Sequence, residues 1–300
     1  MFRKIKYNKA IFGIYPRSEN LRVSIGRYER GKLAGSIRDI VAEEKRKFYD
    51  FAHKNNVRIA GDPLFNWHDI YRPLFSLFTG MEQGELHRYK ETNTFYRKPK
   101  IVGTIEYVHD PLGAHGDDFA TPVYLPEGDK IENFFLPSPK CLLTDAENVK
   151  QDTKKNLLSA YRSLLDSVRP KTTVFYEHYD LDDKLLSDIA SLGDSSNFIV
   201  VTPESNIAGK SMNKEHYFKG IISGNPEDLQ KNLMISREAF IPFWNCKKTS
   251  IESKDHVNSL LDRVKNKLVD SNEFTICNTD FFDFLPRDIA DKKVAFDGVA

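Results

Sequence analysis

Residues 11–22 read IFGIYPRSENLR. An apolar run stops at Tyr15-Pro16-Arg17, and a polar stretch then leads into a helical pattern. A buried strand, a turn and a helix in that order form the βα unit of parallel-sheet proteins. Arg17 stands where the strand leaves its sheet. There it either caps local structure, for example by pairing with a loop acid such as Asp62 or Glu177, or offers a bidentate guanidinium to a carboxylate or phosphate.

The same unit recurs along the chain. Short apolar, β-branched or aromatic runs lie at AIFGIY (10–15), VRIAG (57–61), IENFFL (131–136), TTVFYE (172–177), FIVVT (198–202), FKGIIS (218–223), EAFIPF (238–243) and EFTICN (273–278). Continuous apolar runs of this length suit strands buried on both faces. Helical patterns fall between them. Residues 36–55 place Ile37, Ile40, Val41, Phe48 and Phe51 near one face. Residues 145–168 open on Asp145 as N-cap, and residues 253–270 open on Ser253, with Val257, Leu260, Leu261, Val264 and Leu268 as the apolar stripe. Eight alternating units predict an α/β fold, a single (β/α)8 TIM barrel over residues 1–300. A doubly wound open sheet is the alternative. Residues 81–130 do not fit a βα unit and are expected to form a large insertion after the second strand, with a strand of their own near 100–107.

Composition narrows the function classes. The chain of 300 residues is 40% hydrophobic and 29% charged with a formal net charge of +1, and its mean hydropathy is −0.50. No apolar run approaches the roughly 20 residues of a membrane-spanning helix. The balanced charge gives no general affinity for nucleic acid. The N-terminus lacks an apolar core and a cleavage site, so a cytoplasmic protein is expected. Cys141, Cys246 and Cys277 are odd in number and far apart, which argues against a disulfide framework. No Gly-rich dinucleotide or phosphate-loop motif is present.

Barrel enzymes place their chemistry at the C-terminal ends of the strands. That rule selects Arg17 and Asp62 after the first two strands, and Glu177, His178 and Tyr179 after TTVFYE. Asp62, Glu177 and His178 are the acid/base candidates. Cys246, Cys277 and His178 could converge on zinc only if the strand ends bring them together. Tyr15, Tyr179 and Trp244 could stack a flat ring.

The motifs also resemble a family. IFGIYPRSENLR, the Tyr28-x-x-Gly31 step, the helix of residues 36–55 and the strand ending in Gly61-Asp62 resemble the start of both barrels of cobalamin-independent methionine synthase. TNTFYRKP (92–99) resembles the Thr-Asn-Tyr stretch of its N-terminal barrel, FFLPSP (134–139) a proline-rich strand end, and FYEH (175–178) its Asp-Glu-Pro element. The resemblance implies a methyltransferase barrel of methionine biosynthesis, acting on homocysteine with a methyl-folate donor. It also implies zinc ligands after strands five, six and eight. Here those places read VVTPESN, IISGNPED and ICNTDFF, and the ligand set is missing. Ile14 and Tyr176 stand where the family has a serine and an aspartate that help bind homocysteine. The resemblance therefore points to a counterpart of the N-terminal, zinc-free barrel. Such a chain would bind no metal itself and would support a separate catalytic single-barrel chain that carries the zinc. Arg17, Arg22, Arg88 and Asn93 are its implied substrate-binding residues. The alternatives are an independent barrel enzyme using Asp62, Glu177 or His178, and a folate- or pterin-binding protein.

Overall fold

The computed structural model describes residues 6–89, 95–108, 133–203, 207–208, 217–225, 228–265 and 273–296. Two four-stranded parallel sheets organise it. One runs β11 (Phe240–Trp244), β12 (Glu273–Asn278), β1 (Lys6–Ile11) and β2 (Val57–Ala60); the other runs β10 (Gly220–Ile222), β8 (Phe198–Val201), β6 (Thr172–Tyr176) and β5 (Asn133–Pro137). All pairings within them are parallel. The sheets touch at both pairs of edges. Asn133 Nδ2 donates to Ala60 O at 3.0 Å between β5 and β2. Arg237 N and Glu238 N, ahead of β11, donate to Phe218 O and Lys219 O, ahead of β10, at 2.9 and 3.0 Å.

The apolar runs become strands because both their faces are covered. Every residue of β6 and β8 is buried. The first strand is the exception to the expected bounds. It spans residues 6–11, not 10–15. At Gly13 the backbone turns to φ +75, where a Cβ would collide with the Phe281 ring. Phe12, Ile14 and Tyr15 are apolar because they pack above the sheet, not within it.

Helices α1 (Glu19–Glu29), α2 (Ile37–Lys54), α5 (Thr153–Val168), α6 (Asp183–Ala190), α8 (Lys254–Lys265) and α9 (Arg287–Ala295) flank the sheets, with short helices α3 (Leu74–Leu77), α4 (Pro139–Asp145) and α7 (Leu229–Leu233). Helix α2 begins where Ser36 Oγ accepts from Asp39 N. It buries Ile37, Val41, Phe48 and Ala52, spaced four, seven and four residues apart, which lines one face. Phe48 packs against Tyr15 and Phe65, with ring centroids 4.9 and 6.1 Å apart. Truncating such a side chain costs roughly 3–5 kcal/mol. The helix expected over 145–168 is shorter at its start. Asp145 ends α4 and caps nothing, while α5 starts at Thr153.

The insertion after β2 is a long antiparallel hairpin, β3 (Phe78–Arg88) and β4 (Phe95–Tyr107). Its second arm covers the strand expected near 100–107; residues 109–132 lie outside the described residues. A small parallel pair, β7 (Leu181–Asp182) and β9 (Ile207–Ala208), completes the set. No helix among the described residues is long and apolar enough to cross a membrane.

Candidate functional site

The chain direction of β6 sets up the site. After Tyr176, Glu177 N still donates to Val201 O at 2.9 Å. The Glu177 carboxylate then accepts from Ser138 Oγ and from Tyr179 N, the latter at 2.7 Å. Those two bonds fix a tight bend and carry the His178 ring toward α4. Helix α4 follows β5 through Ser138-Pro139: Ser138 Oγ accepts from Cys141 N, and Pro139 occupies the first helical position. Cys141 and Asp145 are four residues apart and so share one face of α4. His178 lies against both. Its Nδ1 is 3.2 Å from Cys141 Sγ, and its Nε2 is 3.2 Å from Asp145 Oδ2.

Two tyrosines hold the carboxylate in place. Tyr71 Oη donates to Asp145 Oδ2 at 2.5 Å and lies 3.0 Å from Cys141 Sγ. Tyr179 Oη donates to Asp145 Oδ1 at 2.7 Å. Burial alone would raise the Asp145 carboxyl, but hydrogen bonds from His178, Tyr71 and Tyr179 together hold it below its ordinary value. Burial pushes the Cys141 thiol well up, and the nearby Glu177 adds to this. Burial also raises Glu177 against its hydrogen bonds.

This cluster backs onto a small, partly open pocket lined by Tyr71, Tyr89, Tyr96, His178, Phe281 and Phe284. Its wall draws on the segments that follow β1, β2, β6 and β12 and on both hairpin arms, so it opens at the C-terminal ends of the parallel strands. Asp283 also lines it. The Asp283 Oδ1 is buried without a hydrogen-bond partner, and burial raises the carboxyl from 3.8 to about 7 despite the opposing charge of Arg17. Asp69, in the same wall, has structural work: it accepts from Tyr71 N, Arg72 N and Arg97 N and ties the hairpin to the loop after β2.

The expected site residues separate into distinct places. Arg17 donates through Nε to Phe65 O at 2.6 Å and through an Nη to Trp67 O at 2.7 Å. It therefore clamps the loop after β2, rather than pairing with Asp62 or Glu177. Arg22 is exposed on α1 and pairs with Glu19. Arg88 is exposed near the tip of β3. Asn93 lies outside the described residues. Asp62 is held by the buried Lys45 Nζ at 2.6 Å and by Leu64 N. Of the three acid/base candidates, His178 alone lines the cavity. Cys246 Sγ and Cys277 Sγ point to Trp244 O and Ile241 O, so they do not converge with His178. Tyr15 and Trp244 are buried against α9, through Asp291 and Lys293 O, and do not line the cavity. Cys141, Asp145 and Asp283 were not singled out from the sequence as site residues. The Ser-Pro start of α4 and the Cys-x-x-x-Asp spacing were the available signals for the first two.

No family model matches the sequence, and no curated protein sequence matches it. The fold does have solved counterparts. One is a B12-independent methionine synthase from Shewanella sp. W3-18-1 in complex with selenomethionine, with a TM-score of 0.56 and 10% identity over 89% of this chain and 88% of that chain. The likeness is one of fold. It relates two chains over most of the length of each. Of the zinc ligand places implied by the sequence resemblance, the one after the last strand does not fit a metal here. Asp280 is engaged by Lys247 at 3.2 Å, and Cys277 is turned to a backbone carbonyl.

Proposed function

We propose that this chain is a closed (β/α)8 barrel that binds an amino-acid thiol of the homocysteine type in the aromatic cavity and methylates it at sulfur. Support for closure comes from the strand order, which follows the chain through both sheets, and from hydrogen bonds at both seams. The observation that carries the ligand class is Asp283. An unpartnered carboxylate oxygen in a wall of tyrosine and phenylalanine fits a ligand that is largely apolar with one ammonium group. An amino-acid thiol supplies that ammonium beside an α-carboxylate, which would have to lie away from Asp283, and the thiol end then reaches the His178–Tyr71 wall. Selenomethionine in the solved counterpart is a ligand of the same shape. In the reaction the sulfur–carbon bond forms as the donor's nitrogen–methyl bond breaks, and the donor nitrogen takes up a proton. The acceptor attacks as thiolate, the nucleophilic form of a thiol, and because a free thiol near pKa 8.5 is mostly protonated at neutral pH the site has to favour loss of that proton.

Calorimetric titration of L-homocysteine and L-methionine tests the pocket. The wild type binds both, and Asp283→Asn weakens each by roughly tenfold or more, in keeping with loss of a charge-assisted hydrogen bond worth about 1.5–3 kcal/mol. Absence of binding by the wild type, or equal binding by Asp283→Asn, refutes the assignment.

A further inference from the structure

We propose that Cys141, Asp145 and His178 form a zinc site in the wall of the cavity, with an open coordination position facing it. The inference goes beyond methyl transfer and does not depend on it.

The donor atoms already stand together. One ligand atom from each of the three residues lies within 4.8 Å of the other two; the 3.2 Å approaches to Cys141 and Asp145 are made by different ring nitrogens, only one of which would bind the ion. Donors around a tetrahedral ion lie roughly 3.3–3.8 Å apart, since zinc bonds are about 2.0–2.3 Å long, so the three would draw together by about 1 Å on binding. A thiolate, an imidazole and a carboxylate form a borderline-soft set that suits zinc and not magnesium or calcium. Three protein ligands and a vacant fourth position distinguish catalytic from structural zinc sites. The elements that supply the ligands are firm: Cys141 and Asp145 sit one turn apart on α4, and His178 is set by the Glu177 bend.

The surroundings are also those of a metal. Outer partners that orient a ligating carboxylate are a regular part of such sites. Here both Asp145 oxygens accept from tyrosine hydroxyls. Charge argues the same way. Cys141, Asp145, His178 and Glu177 are all buried. Two carboxylates and a thiol thus surround a single imidazole. Lys140, on the same helix as Cys141, is drawn to Asp182 at 2.8 Å. A divalent cation would supply the missing positive charge and allow the thiol to ionise. The set shares no residue with the ligand places that the methionine synthase resemblance implies. One imidazole nitrogen must exchange its present hydrogen bond for the metal.

The open position gives the site a use. A soft or borderline donor atom of a ligand in the cavity could complete the shell there. Tyr71 lines the cavity and touches both Cys141 and Asp145, so it stands at the boundary between metal and ligand.

The test begins with the full-length wild type loaded with zinc and washed free of excess. X-ray absorption at the zinc edge is expected to show one sulfur at about 2.3 Å and the remaining ligands at about 2.0–2.2 Å. Cobalt in place of zinc is expected to give a thiolate-to-cobalt charge-transfer band. Cys141→Ser abolishes that band, whereas Cys277→Ser keeps it. Loss of an outer partner costs roughly 10–100-fold in metal affinity, so Tyr71→Phe is expected to weaken zinc binding by about that factor. Failure of the wild type to retain zinc, a first shell without sulfur, or a band unchanged in Cys141→Ser overturns the proposal. None of these readouts involves methyl transfer, so its failure and the failure of the metal site are separable.

Discussion

Asp283→Asn exposes the energetic cost of the cavity. The Asp283 carboxyl is raised from 3.8 to about 7 by burial. An acid raised in the folded state keeps its proton at pH values where the unfolded chain has lost it. The folded state therefore binds the extra proton between about pH 4 and 7, and stability falls as pH rises through that window. Three pH units at about 1.4 kcal/mol each set an upper bound of roughly 4 kcal/mol. The opposing charge of Arg17 is already contained in the raised value. Asparagine has nearly the shape of the protonated acid and does not titrate. Denaturant unfolding of both proteins from pH 4 to pH 8.5 is the assay. The two should match near pH 4, and the asparagine variant should be more stable by about 2–4 kcal/mol above pH 7.5. An ammonium-bearing ligand reverses the sense for binding, because it prefers the ionised carboxylate. Affinity for L-methionine should then rise as pH passes 7. Parallel stability curves across the whole range would refute both the buried position of Asp283 and the ligand assignment built on it.

Arg17→Ala should destabilise the protein by about 3–6 kcal/mol, because each of the two bonds from the guanidinium to the Phe65 and Trp67 carbonyls is worth roughly 1.5–3 kcal/mol. Arg17→Lys should recover only part of this, since an ammonium cannot span both carbonyls as the planar fork does; urea unfolding checks both. Lys45→Met leaves Asp62 without its partner and should cost about 3–5 kcal/mol, while Lys45→Met with Asp62→Asn should regain most of the loss. A double variant no better than the single one in thermal unfolding would contradict that account.

The sequence made the sheets legible because burial on both faces writes itself as unbroken apolar runs. TTVF and FIVV became β6 and β8 with all residues buried. The first strand escaped by four residues because apolar character does not distinguish a strand from the packing above it. Lys6 to Lys9 look like surface, yet Lys9 is buried with its ammonium on Val294 O at 2.8 Å, and such long-range partners leave no local trace. The rim rule found His178, since a strand end can be read from its own residues. It missed Cys141 and Asp145 because one helix was extended back to Asp145, where an acidic residue before an apolar pattern imitates a cap. Asp283 could not be found at all. Its meaning depends on tyrosines and phenylalanines from the hairpin and from the ends of β2 and β12, which only the fold brings around it. Arg17 shows the converse. Its place at the rim was legible, but its two backbone acceptors lie nearly fifty residues away.

The most direct test is conversion of homocysteine to methionine by the full-length chain with zinc and a methyl-folate donor supplied. It should be run alone and again with a catalytic single-barrel homologue added. The account predicts methionine from this chain alone, reduced in both Asp283→Asn and Cys141→Ser. No methionine from this chain alone would contradict it, and turnover gained only in the mixture would instead favour a partner-dependent supporting role.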